Sequence, residues 1–509
     1  MREWRPGRDR RAVLHRPPAP GGVPGAPVAG RRPVVAVVGG GIAGLAAATG
    51  LAERGVRVLL FEAAPSLGGR VRAWPVEVPG GGGTMSRGFH AFFRQYYNLR
   101  ALLRRADPAL SRLRPVGDYP LQLAAGADGR PVVDSFSKVP RRPPWNLVGF
   151  VAQSPSFRVA DLARVDVQAA LGLLRVRFPQ TYTELDGVSA AALLDRLRFP
   201  EAARHLALEV FARSFFADPT EFSGGELVAM FHTYFVGSAE GLLFDVPDDD
   251  YDTALWRPLG DHLAGLGVEV ATGVEVTGLE RGGAGVAVTT TAGAHVVDAV
   301  VLALDTAALQ RLVAGAKGVD AEWRDRIARL RTAPPFGVGR RWLRGRLPHL
   351  APFLGTSGYG PLDNLSRLDA FEAGAASWAE REDGTVVEVH GYALRDPSAA
   401  ARDELWRQAA LVHGELGSAE VLAEQWLVAQ DCPLVDTSPW RERPTVATPH
   451  PDVVLAGDLV RSDWPISLME RAATTGWQAA NQLLAGFGRT GHDLWSPPLS
   501  GMLGRGRRS

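Results

Sequence analysis

The chain reads as an α/β protein in which a Rossmann-like dinucleotide-binding domain is paired with a discontinuous α+β domain. Three observations predict this. The apolar, β-branched run Val34 to Val38 feeds Gly39, Gly41 and Gly44 at GxGxxG spacing. An alanine-rich helical stretch, Ile42 to Arg54, follows at once. A second strand, Val56 to Phe61, then ends in Glu62, about twenty residues past the first glycine.

Each element has a physical task. The glycines let the backbone turn tightly and approach a diphosphate, with Ala43 in the first helical turn. Free N–H groups and the positive helix end favour that anion. Glu62, followed by Ala63, is placed to accept hydrogen bonds from an adenosine ribose. Small residues also pack helices on strands without a ligand, but here strand, glycines, helix, strand and acid all agree. The uncharged stretch Val34 to Ala52 has the length of a membrane span, yet three consecutive glycines interrupt it.

At 509 residues the chain exceeds one compact core, and 46% apolar residues can fill two. Its 56 basic and 55 acidic residues leave a formal charge of +1, which gathers no nucleic acid. Cys432 is the single cysteine, so one chain builds neither a disulfide framework nor a multi-thiolate cluster. Oxidation chemistry would therefore rest on an organic cofactor, and no metal site is expected. The Arg-, Pro- and Gly-rich residues 1–32 predict a disordered basic tail without a signal peptide, and hence a cytoplasmic protein.

The dinucleotide domain is expected to be assembled from 33–114, 252–305 and 450–488. The second block carries a helical Leu255 to Leu266 and a continuously apolar strand, Ala299 to Leu304, suited to a covered parallel sheet. The third carries strand Val453 to Ala456, then Gly457, Asp458 and a helix expected to start at Pro465 and run to Leu484. By elimination, 115–251 and 306–449 form the substrate domain, and 489–509 a C-terminal tail. The substrate domain includes a strand-like Thr385 to Leu394 and a helical Arg402 to Leu416.

Gly68, Gly69 and Arg70 extend the first motif and bring amides and a guanidinium to the far side of a diphosphate, a continuation that argues for flavin over NAD. Asp458, at a strand's carboxyl end, is placed to hold a ribityl hydroxyl. The helix after it points its positive end at the pyrimidine side of a flavin, and Met469, about one turn in, is either a ring contact or a core residue.

Gly39 to Arg72, together with Leu455 to Leu484, resembles the phytoene desaturase and amine oxidase superfamily of FAD enzymes. The expected fold class is accordingly an FAD-binding Rossmann-like domain with a discontinuous α+β substrate domain. GFHAFFRQYYNL (Gly88 to Leu99) is similar to carotene desaturases. With DYPL at Asp118, RFPEAARHLALEVFARSFFADP at Arg198 and GSAEGLLFDVP at Gly237, the chain resembles the bacterial carotenoid φ-ring synthases. The glycine run Gly80 to Gly83 and the acidic Asp248 to Asp250 depart from the family pattern.

The resemblance implies FAD as cofactor and β-carotene as substrate, with the β-ionone ring desaturated and one methyl migrating from C1 to C2. Such chemistry needs a hydride acceptor, aromatic faces for developing cation, and a base. Phe92, Phe93, Tyr96 and Tyr97 offer faces, and the resemblance puts Tyr96 beside FAD. His90 is the nearest base or, equally, a structural histidine; His232, Glu226 and Glu240 are alternatives. A C40 hydrocarbon implies contact with a membrane surface, on the inner face of the cell membrane, through Pro144 to Val151 or Phe211 to Phe222. The electron acceptor is external and of open identity. Competing functions are a linear carotene desaturase or isomerase, a χ-ring synthase, a flavin amine oxidase, for which Lys138 and Lys317 sit in loop-like stretches, and a carotenoid-binding protein.

Overall fold

The computed structural model describes residues 9, 11–20, 31–125, 129–135, 137–156, 167–198, 204, 215–283 and 285–504. The elements that place the site are, in chain order, β1 (Val34–Val38), α1 (Ile42–Ala52), β2 (Arg57–Glu62), α2 (Tyr97–Leu103), β3 (Glu269–Thr272), β4 (Ala299–Leu302), β5 (Phe336–Arg344), β6 (Asn364–Arg367), β7 (Gly384–Gly391), β8 (Val453–Leu455) and α3 (Leu468–Gly486).

A five-stranded, wholly parallel sheet has the order β3, β2, β1, β4, β8 and draws its strands from three separated parts of the chain. Parallel pairing sends every strand's carboxyl end to one edge, where ligands bind in open α/β sheets. Gly39, Glu62, Ala303 and Gly457 all lie at or just past that edge. One face of the sheet packs on α1, which is buried along its whole length and accordingly has no polar face. Helix α3 lies over α1, and the approach is close: a Cβ on Gly476 would stand 2.2 Å from the Ala43 carbonyl oxygen.

On the other face, Val38, Phe61, Leu302 and Leu455 share a core with Leu309, Leu312, Val313, Trp323 and Ile327. The helices Thr306–Gly315 and Ala321–Ala328 therefore pack with the parallel sheet, although sequence elimination gave 306–449 to the substrate domain. That second side is shared with a three-stranded antiparallel sheet, Val276–Gly282, Gly285–Thr290 and Gly293–Val297, whose Leu279, Val286, Val288 and Val297 lie in the same core. The substrate side is a seven-stranded mixed sheet in which β5 pairs with β7, and β7 with β6, all antiparallel.

Two further expectations are corrected. The N-terminal region is not a free tail throughout, because Val13–His15 pairs antiparallel with Leu494–Ser496 of the expected C-terminal tail. Backbone pairing needs no apolar core segment, and side chains add to it: His15 stacks on Trp464 at 3.9 Å, and buried Asp9 accepts hydrogen bonds from the Tyr97 and Ser238 hydroxyls. Residues 1–8, 10, 21–30 and 505–509 lie outside the described set. Helix α3 begins at Leu468, not Pro465. The Pro465 carbonyl accepts from the Thr233 hydroxyl at 2.5 Å and the Ile466 carbonyl from Arg471 Nη2 at 2.8 Å, which commits that stretch to an extended path.

Gly476→Ala is expected to destabilise the fold by about 1–3 kcal/mol, because the added methyl overpacks a backbone contact that cannot move aside. Gly414→Ala, with nothing within 4 Å of the new Cβ, should change stability by less than about 0.5 kcal/mol. Thermal unfolding of the two variants beside wild type checks the contrast.

Candidate functional site

A cavity of about 820 Å³ opens along the carboxyl edge of the parallel sheet and extends to the mixed sheet. Its first end is built from the β1 to α1 turn. Gly39 has φ +107°, and a Cβ there would lie 2.3 Å from the Ala303 carbonyl oxygen; one on Gly44 would lie 1.8 Å from the Gly39 oxygen. Gly44 thus works by letting helix meet turn and does not line the cavity, whereas Gly39, Gly41 and Ala43 do. The Gly41 and Gly69 backbones face each other, and a Cβ on Gly69 would come within 3.0 Å of the Gly41 Cα.

The Glu62 carboxylate is fixed at the end of β2, accepting from Gly40 N at 2.6 Å and Ala64 N at 2.7 Å. Glu62 and Ala63 line the cavity beside this turn. Arg70 and Asp458, expected on a diphosphate and a ribityl hydroxyl respectively, are brought together as an ion pair of 2.5 Å, next to Gly457. The first-turn amides of α3 have no intrahelical acceptor, and Ser467 makes no capping bond to them. Met469 is the second residue of that helix, not one turn in, and lines the cavity with Leu468, Arg471 and Ala472.

The second end is aromatic. Phe89, Phe93, Tyr96, Phe216, Phe336 and Tyr392 contribute to its wall, with Phe93 4.7 Å from Tyr234 and Phe216 4.7 Å from Tyr392, both edge-on. The Tyr96 hydroxyl meets that of Tyr234 at 3.2 Å. Of the four aromatic faces expected in this segment, Phe92 and Tyr97 turn away. Phe92 is fully buried in the nucleotide-side core, and the Tyr97 hydroxyl binds Asp9.

His90 lines the cavity with its Nδ1 2.8 Å from the Gly88 carbonyl. That contact needs a proton on Nδ1, which leaves the Nε2 lone pair as acceptor. Burial lowers the imidazole to about 4, so it is neutral, and a weaker base than an ordinary histidine, near pH 7. The alternative bases are elsewhere. His232 hydrogen-bonds the Pro498 carbonyl in the core, Glu226 is locked between Arg443 and Arg471, and none of His232, Glu226 and Glu240 lines the cavity.

Sequence reasoning passed over a second cluster on the opposite wall. The β5–β7 register sets Arg340 opposite Glu388, and the β6–β7 register sets Asn364 opposite His390. Arg340 donates to Glu388 at 2.6 Å, both fully buried, and His390 Nε2 stands 2.7 Å from the other Glu388 oxygen. Against burial, which raises it, Arg340 and His390 hold the Glu388 carboxyl down to about 2. His390 Nδ1 lies 2.9 Å from the Tyr392 hydroxyl, and that hydroxyl accepts from Asn364 at 2.8 Å. The alternation Glu388-x-His390-x-Tyr392 was a legible signal, since a strand sends every second residue to one face.

The model for flavin containing amine oxidoreductases matches residues 42–484, from the first residue of α1, just past the glycine turn, to Leu484 in the last turn of α3. The chain belongs to that family. It is similar to the carotenoid phi-ring synthase of Streptomyces griseus, with 53% identity across 98% of this chain and 96% of the relative. The corresponding protein of Chlorobaculum tepidum is 25% identical over 88% of each chain. Among solved structures, cyclohexylamine oxidase from Brevibacterium oxydans superposes with a TM-score of 0.64 at 14% identity, covering 89% of this chain and 99% of that one, a likeness of fold.

The residues present fit the family's flavin. The Gly41–Gly69 gap admits a ligand only because neither residue has a side chain, two helix N-termini present unpaired amides, and a fixed carboxylate stands at the nucleotide end.

Behind the second cluster lies Glu372. Burial, reinforced by Glu388, Asp250 and Asp249 and opposed by Arg340, pushes its carboxyl up to about 7. A carboxyl raised in the fold and ordinary in the unfolded chain favours folding at low pH, and that contribution is lost as pH rises through about 7. Glu372→Gln is therefore expected to stabilise the protein at pH 8 by roughly 1–3 kcal/mol and to change little at pH 5. Denaturant unfolding at the two pH values measures this.

Proposed function

We propose that this protein binds FAD along the cavity and oxidises the β-ionone ring of β-carotene, moving one methyl from C1 to C2, to give an aromatic φ-ring carotenoid. One observation carries the reading: a single cavity joins a diphosphate-accepting glycine turn to an aromatic wall that holds a neutral histidine with a free Nε2. Near-full-length similarity to a carotenoid phi-ring synthase supplies the substrate class.

In this reading Gly39, Gly41, Ala43 and Gly69 take the diphosphate, and Glu62 with Ala63 the adenosine ribose. The Arg70–Asp458 pair and Gly457 face the ribityl side. The α3 amides around Met469 take the pyrimidine edge, and Tyr96 borders the ring. When bound, the flavin supplies the hydride acceptor. Phe93 and its neighbours stabilise positive charge on the substrate ring, and His90 Nε2 accepts a proton. Lys138 is exposed, Lys317 pairs with Glu280 at the surface, and the described cavity lining contains no lysine, which disfavours amine oxidation.

Delivery from a bilayer is assigned to the helix Trp145–Gln153. Trp145 is 64% and Val148 54% exposed, and exposed Lys138, Arg141 and Arg142 precede them, a composition suited to an anionic interface. Among the described residues no helix is long and apolar enough to cross a membrane. The second expected contact falls away in its described part, because Phe215 and Phe216 line the cavity and Phe222 is buried. Residues 211–214 lie outside the described set.

Expression in a host that accumulates β-carotene is expected to give pigment lacking four hydrogens per converted ring, with all methyls retained and aromatic ring protons in the NMR spectrum. Unchanged β-carotene would refute the reading, and an extended polyene with intact rings would favour linear desaturation. Trp145→Glu with Val148→Glu should lower sedimentation with anionic liposomes about tenfold while leaving flavin content unchanged.

A further inference from the structure

The ring oxidation proposed above releases two protons for each ring as two hydrides depart, yet His90 offers one free nitrogen. The opposite wall carries machinery that this reading leaves unused. Glu388 and Arg340 are a fully buried ion pair inside a sheet, an arrangement with a desolvation cost that apolar residues would avoid. The Glu388 carboxylate is shared between Arg340 and His390, whose Nε2 faces it at 2.7 Å, while Arg340 also donates to the Thr84 carbonyl and the Ser86 hydroxyl. The Phe89 amide also points at Nε2, from 3.3 Å, but an ionised carboxylate at 2.7 Å can only accept, so the shorter contact assigns the ring proton to Nε2 and turns Nδ1, as acceptor, toward the Tyr392 hydroxyl at 2.9 Å. Tyr392 itself lines the cavity.

We infer that Tyr392, backed by His390 and Glu388, is a second proton acceptor, on the wall carried by β7. This inference rests on the ring-oxidation reading. In the step assigned to it, a ring C–H bond of the cationic substrate breaks and its electron pair becomes the new C=C bond. The proton passes to the Tyr392 oxygen as the Tyr392 proton moves to His390 Nδ1. The resulting imidazolium is matched by the ionised Glu388, which Arg340 holds in place through Nε and Nη2 at 3.0 and 2.6 Å. Nothing is oxidised in this step; the electrons of each oxidation leave with hydride to the bound flavin, which an external two-electron acceptor of the quinone class must reoxidise before the second hydride departs. Asn364, donating to Tyr392 at 2.8 Å, fixes the phenol's orientation. Tyr392 is the catalytic member, and His390 and Glu388 are positioning residues.

The test compares purified flavin-loaded wild type, Tyr392→Phe and His390→Gln on β-carotene in liposomes with excess quinone as electron acceptor, and bound flavin is quantified for each. Both variants are expected to aromatise at least about 100-fold more slowly at equal flavin content. Both should also accumulate a product lacking two hydrogens per ring in place of four, and the wild-type solvent deuterium isotope effect should vanish in Tyr392→Phe. If His390→Gln loses its flavin, Tyr392→Phe alone decides. Aromatisation by Tyr392→Phe within about threefold of wild type, or with an unchanged isotope effect and no two-hydrogen product, overturns the relay. A wild type that binds flavin and leaves β-carotene unchanged overturns the ring-oxidation reading, and the relay with it.

Discussion

The parallel pairing of β1 with β2 on one side and β4 on the other is the constraint on which the site depends. Hydrogen bonds from Gly39 N to the Phe61 carbonyl and from Ala303 N to the Val38 carbonyl, both 2.8 Å, carry that pairing past the last strand residues. They hold the glycine turn, the Glu62 carboxylate and the end of β4 at one level. Because the strands run the same way, α1 must start at this edge, and α3, which follows β8, starts there too. Two positive helix ends thus face one cavity without any side chain having to recruit them.

The walls obey a different rule. In the mixed sheet, strand register sets buried polar groups against one another: Arg340 opposite Glu388, Asn364 opposite His390. Buried charge of this kind is stable as a set and costly in pieces, since removing one member leaves another unpaired in a low-dielectric interior. Burial keeps His90 neutral, because it has no counter-charge in contact, whereas Glu388 stays ionised against burial, because it touches a guanidinium. Opposite protonation states thereby coexist across one cavity.

How legible these features were depended on sequence separation. Val34 to Arg70 holds strand, turn, helix, strand and acid in succession, and each is decided by the residues next to it; these elements stand where the residues predict. Phe92 and Phe93 show where reading stops. They alternate in a short strand, so one must face the core and one the cavity, but nothing local says which. His390 and its partners come from strands dozens of residues apart, and only the Glu-x-His-x-Tyr alternation hinted at them. The paired N-terminal segment was hidden for a related reason: a strand held by a distant partner carries little hydrophobic pattern of its own.

By itself, the sequence determined the nucleotide end of the cavity, because a glycine turn at φ +107° and a helix that must touch it at Gly44 are properties of contiguous backbone. It also determined that redox chemistry would rest on an organic cofactor, one cysteine being too few for a cluster. The tertiary structure decided where α3 starts, which aromatic rings line the wall, and which histidines face the cavity. Those outcomes depend on what a side chain is buried against, and burial and pairing are set by strand register and helix crossing, which no single stretch of residues contains.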